Sequence, residues 1–257
     1  MTGVQTCALP IYRIHNILVE LEWNLEDEPS KGYDFLYDQV VASGELLSTA
    51  IVFEYLLSAG MKVAYADARD LIKTDENYRE GGVDWNQSRQ ATINNADSIW
   101  AKGNEVIITQ GFIGGTADNY TTTLGREGSD YSAAILAHCL DASAVYIWKD
   151  VPGVLNADPK YFNDAQKLER MSYHDAIELA YFGASVIHPK TIKPLENKDI
   201  PLHVKSFINP GMSGTVIGRG FETKPLIPSF IFKVIATVAV LPPQVALHLG
   251  SSKTPTW

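Results

Sequence analysis

The sequence predicts an α/β fold in which a mainly parallel sheet is covered by helices on both faces. Two patterns carry that expectation. Short β-branched or apolar runs alternate with longer stretches whose apolar residues fall at helical spacing, as in strands joined by crossover helices. Glycine-rich and charged motifs stand directly after two of those runs, at the carboxyl ends of strands, where ligands gather in such folds.

Taken in order, residues 12–27 place Ile14, Ile17, Leu18, Leu21 and Leu25 at helical spacing, and Pro29-Ser-Lys-Gly32 ends that helix. A second helix covers 35–42. A third, 45–58, is apolar nearly throughout, so it packs on most sides, and Gly60 stops it. Residues 61–66 read as a buried strand. An amphipathic helix spans 85–102 with Gly103-Asn104 as its stop, and 106–109 is a second buried strand. Ser129 is a good N-cap for a helix over 130–140. Residues 144–148 form a third strand, 173–182 and 190–197 two further helices, and 202–205 another strand.

At 257 residues, 46% apolar and 20% charged, the chain has ordinary globular composition and the length to bury a sizeable core. Its net charge of −9 argues against general binding to nucleic acid or anionic membranes, yet leaves an anionic small substrate open. Two cysteines, Cys7 and Cys139, make no disulfide framework, so a reducing cytoplasm is the expected compartment. The six histidines are scattered, and no metal site is expected. No membrane span is expected either, because the most apolar stretch, 234–241, is short and stops at Pro242-Pro243.

Both ends read as foreign. Residues 1–11 (MTGVQTCALPI) show no periodicity and resemble the translation of a sequencing-library adapter, so an artefactual leader is expected there. From Val234 the chain turns apolar, carries only Lys253 as a charge and closes on a Ser/Thr/Pro tail, as a slipped reading frame would. Residues 234–257 are therefore expected to be non-native or disordered, with a short strand over 234–241 as the alternative.

Four segments carry chemistry. In Thr109-Gln-Gly-Phe-Ile-Gly-Gly-Thr116 the glycines would let backbone approach a ligand and turn N–H groups to an anion, although a plain tight turn is the commoner reason for such a run. Thr121-Thr-Thr-Leu-Gly-Arg-Glu-Gly-Ser-Asp130 sets Arg126 in a glycine-flanked loop before a helix. A guanidinium fork and a helix N-terminus together suit a small carboxylate; a surface ion pair and a simple cap are the plainer roles. Trp148-Lys-Asp-Val-Pro-Gly-Val-Leu-Asn-Ala-Asp-Pro-Lys160 is compatible with a nucleotide or with a bare loop. In 182–190, Pro189 opens a helix, and His188 reads as a hydrogen-bonded structural histidine.

Together, in this order and spacing, SGELLST (43–49), QGFIGG (110–115), TTTLGREGSD (121–130), WKDVPGVLNADPK (148–160), MSYHDAIELAYFGASVIHPKTIKPL (171–195) and SGTVIG (213–218) resemble the aspartate kinase family. The run around FGASVIHPKTIKPL is more similar to the monofunctional enzymes. The resemblance implies the amino-acid kinase fold, a three-layer α/β/α sandwich, with 12–233 as a partial catalytic domain. It implies transfer of the ATP γ-phosphoryl group to the β-carboxylate of L-aspartate, the first step of lysine, threonine and methionine biosynthesis. By motif, Glu45 would bind the substrate's ammonium group and Arg126 its α-carboxylate, with Ser129 and Asp130 completing that wall. Lys149, Asp150 and Leu155 would line the nucleotide, Lys160 would lie near its phosphates, and Ser185 and Val186 would touch it from the other side. Asp130 and Lys149 take the catalytic roles. Mg²⁺ would arrive on ATP, and a homo-oligomer is expected of the full-length enzyme.

The chain also departs from that family. Leu155, Lys160 and Ser185 stand where members often carry Tyr, Arg and Lys. Family members open with a strand ending in a Lys-Phe-Gly-Gly-Thr-Ser loop and close with regulatory domains of ACT type; neither pattern occurs in this sequence. The expectation is a catalytic domain lacking its first strand and, as it stands, without appreciable turnover. Two alternatives stay open: another carboxylate kinase of the same fold, such as an acetylglutamate or glutamate kinase, and a non-catalytic fragment.

Overall fold

The computed structural model describes residues 8–26, 32–157, 165–181 and 186–221. The chain divides into two compact units between Ser143 and Ala144. Residues 1–7 of the expected leader, and all of the expected tail 234–257, lie outside the described residues.

The first unit opens with α1 (Ala8–Glu26), which starts inside the segment expected to be a leader and buries Ile17. Next comes α2 (Tyr33–Ser58), one unbroken helix where two were expected. Gly44, which falls between the two expected helices, is helical, and a Cβ there would meet nothing within 4 Å. One glycine costs a helix only about 1 kcal/mol, less than the burial of Leu46 and Phe53 returns. Unbroken, α2 is long and apolar enough to cross a membrane by length and composition alone. It packs on α1, and its buried stripe carries Asp38, Gln39 and Ser43 beside Ala42, Leu46, Ala50 and Phe53.

β1 (Val63–Tyr65) pairs in parallel with β2 (Val106–Ile108). Between them lie the single turn α3 (Ala68–Leu71) and α4 (Trp85–Ala101), whose N-cap Asp84 accepts a hydrogen bond from Gln87 N. The glycine-rich run proves to be a strand: β3 (Ile113–Gly115) forms an antiparallel hairpin with β4 (Thr121–Thr123). Its glycines serve close packing of the chain on itself. A Cβ on Gly115 would fall 2.5 Å from the Arg69 carbonyl oxygen, and Gly115 N already donates to Ile72 O at 2.9 Å. Among the described residues, two clusters fill this unit. Ile17, Ala42, Leu46, Ala50, Ala68 and Ile113 form one. The other joins Leu71, Ile72 and Leu124 to Tyr131, Ile135 and Cys139 of α5 (Gly128–Leu140).

The second unit is a mixed sheet with two helices. Its strands, β5 (Val145–Lys149), β6 (Arg170–Met171), β7 (Leu202–Ser206) and β8 (Thr215–Ile217), lie in the order β5-β7-β8-β6. Val145, Ile147, Leu202 and Val204 point to the buried side, while Tyr146 and Trp148 alternate to the exposed one. Of the five strand pairings among the described residues three are parallel, so the α/β class follows the alternation seen in the sequence. The helices are α6 (Tyr173–Tyr181) and α7 (Pro189–Lys198). His188 caps α7, its Nδ1 accepting from Lys190 N at 3.1 Å, and Pro189 takes the first helical position. That is the structural role expected of it.

Candidate functional site

The 124–130 junction is where the first unit gathers its candidate residues. β4 runs into Leu124, and the chain then turns through Gly125 (φ 74°), Arg126 and Glu127 (φ 53°) into α5. Arg126 and Ser129 are exposed and Asp130 is half-buried in the first helical turn. Ser129 is not the N-cap. The left-handed Glu127 holds that position, without a side-chain hydrogen bond, because the helix starts at Gly128, ahead of the serine. The hydroxyl that fastens this end is Ser132 Oγ, which donates to Gly128 O and accepts from Phe112 N, each at 2.8 Å. The first N–H groups of a helix have no intrahelical acceptor. Without a side-chain cap, this terminus presents partial positive charge beside a guanidinium, an arrangement that suits a small carboxylate.

Glu45, half-buried, sits on α2, the helix that also holds β4. Its backbone carbonyl accepts from Ser48 Oγ at 3.1 Å.

In the second unit Lys149 ends β5, and its carbonyl accepts from Phe207 N at 2.9 Å; Asp150 follows, exposed. Leu155 bridges to Lys167 in a short antiparallel contact, tightened by Asn156 N to Gln166 O and Leu168 N to Val154 O, both 2.9 Å. Gly153 (φ 144°) makes that fold possible, since a Cβ there would fall 2.5 Å from Thr215 Oγ1. Val186 lies half-buried just before the His188 cap. Lys160 and Ser185 lie outside the described residues.

Sequence reasoning passed over three residues here. Phe112 adopts φ 71°, a conformation that costs a non-glycine residue on the order of 1–3 kcal/mol. Its ring explains Gly128, because a Cβ there would lie 2.6 Å from Phe112 Cδ2. No pattern in the sequence signals that strain. Asp38 and Gln39 are buried polar residues on an apolar stripe, and that contrast was readable. Burial raises the hydroxyl pKa of Tyr131, the residue after Asp130. Away from the junction, His174, Asp175 and Glu178 of α6 set potential ligand atoms within 4.8 Å of one another. Asp175 is already engaged at the start of α6: its N donates to Ser172 Oγ at 3.1 Å, and its Oδ2 accepts from the same hydroxyl at 2.6 Å.

The chain is similar to known proteins. The model of the Amino acid kinase family matches residues 10–206. Lysine-sensitive aspartokinase 3 of Escherichia coli is 35% identical over 213 residues, covering 83% of this chain and 47% of that protein. Aspartokinase 2, chloroplastic, of Arabidopsis thaliana is 36% identical over 200 residues, covering 76% and 36%. The crystal structure of E. coli aspartokinase III in complex with aspartate and ADP superposes with a TM-score of 0.76 at 34% identity, over 84% of this chain and 48% of that one. The chain spans less than half the length of each of these relatives.

Proposed function

The chain belongs to the amino acid kinase family, and we propose that it supplies the aspartate- and nucleotide-binding parts of an aspartate kinase. The observation that carries this reading is its likeness to an aspartokinase solved with aspartate and ADP, joined to the exposed Arg126 beside the uncapped start of α5. Arg126 grips the α-carboxylate of aspartate with its planar fork, helped by the N–H groups at Ser129 and Asp130. Glu45 takes the ammonium group. The β-carboxylate is the nucleophile, and with an unperturbed pKa of about 3.9 it needs no general base at neutral pH.

What the reaction does need is two anions brought into line with their repulsion screened. Lys149 contributes positive charge at the end of β5, and Asp130 orients the substrate from the first turn of α5. Asp150, Leu155, Lys160, Ser185 and Val186 hold the nucleotide. Mg²⁺ carried on that nucleotide supplies further neutralisation of its phosphates. The cytoplasm is the compartment proposed, and a homo-oligomer the assembly of the whole enzyme.

Binding is the direct measurement of this reading. Calorimetric titration of the chain should show aspartate binding, with glutamate and N-acetylglutamate roughly ten-fold weaker or worse, the scale of a mispaired polar group. Equal or tighter binding of either competitor would replace aspartate as the substrate.

A further inference from the structure

Asp38 lies on the buried stripe of α2, and its side chain is 0% exposed. A carboxylate is buried only where donors replace its lost hydration. Asp38 Oδ2 accepts from Thr123 N at 2.8 Å and from Arg79 N at 2.7 Å, and Oδ1 accepts from Thr123 Oγ1 at 2.8 Å. These donors belong to the two segments that bracket the Arg126 loop. Thr123 is the last residue of β4 and runs directly into Leu124, Gly125 and Arg126. Arg79 sits in the loop before α4, with φ 69°, and its carbonyl oxygen would lie 3.3 Å from a Cβ on Gly125. That loop and β4 are also joined to each other, Gly81 N donating to Thr123 O at 2.8 Å. About two turns further along the same helix stands Glu45.

We propose that Asp38 is a positioning residue for substrate binding: by clamping Thr123 and Arg79 to α2, it fixes the Arg126 loop relative to the helix that carries Glu45. The clamp thereby sets the spacing between the groups that take the carboxylate and the ammonium of one amino acid. The proposal rests on the substrate reading above. It also explains an acid at this position, because one carboxylate accepts three hydrogen bonds from two segments, which no apolar side chain does. Asparagine can keep most of the clamp. Its Oδ1 can accept from both N–H groups while its NH₂ donates to the Thr123 hydroxyl, which is able to accept. Alanine leaves the buried Thr123 N–H and the part-buried Arg79 N–H without that acceptor.

The test uses the 257-residue chain carrying Asp38→Ala, Asp38→Asn or Arg126→Ala, with aspartate and ADP titrated separately by calorimetry. Asp38→Ala should weaken aspartate roughly ten-fold or more while leaving ADP unchanged, and Asp38→Asn should stay within about three-fold of the parent, as expected for lost against retained hydrogen bonds. Amide exchange supplies a readout independent of ligand. In Asp38→Ala the amides of Thr123 and of 125–128 should exchange faster while those of α4 keep their protection. Parent-like exchange and affinity in Asp38→Ala, beside a weakened Arg126→Ala, overturns the proposal alone. Equal loss for aspartate and ADP, or loss of protection throughout, makes Asp38 a stability residue and overturns it too. Unchanged aspartate affinity in Arg126→Ala removes the substrate reading on which the proposal stands.

Discussion

The carboxamide of Gln39 and the backbone of Thr121 hold each other in both directions: Oε1 accepts from Thr121 N at 3.0 Å, and Nε2 donates to Thr121 O at 2.8 Å. The two residues are 82 positions apart and buried. A primary amide reproduces the donor and acceptor of a peptide unit, so Gln39 pairs with the outer edge of β4 much as another strand would. The hairpin β3–β4 is thus completed by a helix side chain, which satisfies a sheet edge that would otherwise be buried unpaired.

Replacing Gln39 with Leu keeps the bulk but strands both groups of Thr121. Each unsatisfied buried group costs about 1–3 kcal/mol, so the variant should lose at least about 1 kcal/mol in urea unfolding. A change below about 0.5 kcal/mol, the usual size of a neutral surface substitution, would mean that water or a backbone shift takes over the pairing.

Two glycines give opposite expectations from one substitution. Gly115→Ala puts a methyl group 2.5 Å from the Arg69 carbonyl oxygen, backbone that cannot swing aside, and should destabilise by about 1–3 kcal/mol. Gly44→Ala adds a methyl group to a helix interior with nothing within 4 Å, and should stabilise by up to about 1 kcal/mol. Denaturant unfolding of the pair reads both signs, and a stabilised Gly115→Ala would refute the close approach.

Those glycines also mark how far the sequence could be read. Two helices, 35–42 and 45–58, were expected around Gly44 because propensity is local, while the continuity of α2 is decided by the stripe of Ala42, Leu46, Ala50 and Phe53 that it buries. The run at 109–116 read as a tight turn or, less often, a cradle for an anion, whereas Gly114 and Gly115 pack against Ile72, Thr74 and Arg69. β3 (Ile-Gly-Gly) and β4 (Thr-Thr-Thr) lack the apolar β-branched run by which the equally short β1 and β2 could be recognised. By contrast, the His188-Pro189 helix start was legible, since a cap and a proline at the first position act through nearest neighbours. The loop that carries Arg126 was legible as well, because glycines flank it and a helix follows. Asp38 and Gln39 stand out as polar residues on an apolar stripe, but their partners lie 85 and 82 positions away, and single-sequence patterns do not carry those pairings or the strain at Phe112.

Arg126 itself separates charge from geometry. Arg126→Lys keeps the positive charge but loses the planar fork. Arg126→Ala should cost aspartate binding roughly 1.5–3 kcal/mol, the range for hydrogen bonds to charged groups, and Arg126→Lys an intermediate amount. ADP affinity should not change in either. If lysine binds aspartate as well as arginine does, a point charge suffices and the bidentate contact is wrong.

The last expectation concerns pH. His203 of β7 stacks on Tyr146 of β5, ring centroids 4.4 Å apart and planes inclined by 12°. Its pKa is lowered from the ordinary value, first by burial of the ring and second by the Lys205 ammonium on the same strand. The unfolded chain therefore takes up the proton at higher pH than the folded one, near the ordinary histidine value of about 6.5. Above that value the ring is neutral in both states, and the contribution to stability is whole. As pH falls below it the unfolded state gains protons first, so stability drops until the folded pKa is passed, and the dependence then ends. Lys205→Met removes the smaller cause and should raise the pKa part of the way, leaving the burial effect. Titration of the His203 ring protons by NMR, in the parent and in Lys205→Met, reads both shifts. A parent pKa at or above about 6.5 would show that neither the stacked ring nor the neighbouring ammonium opposes the charge.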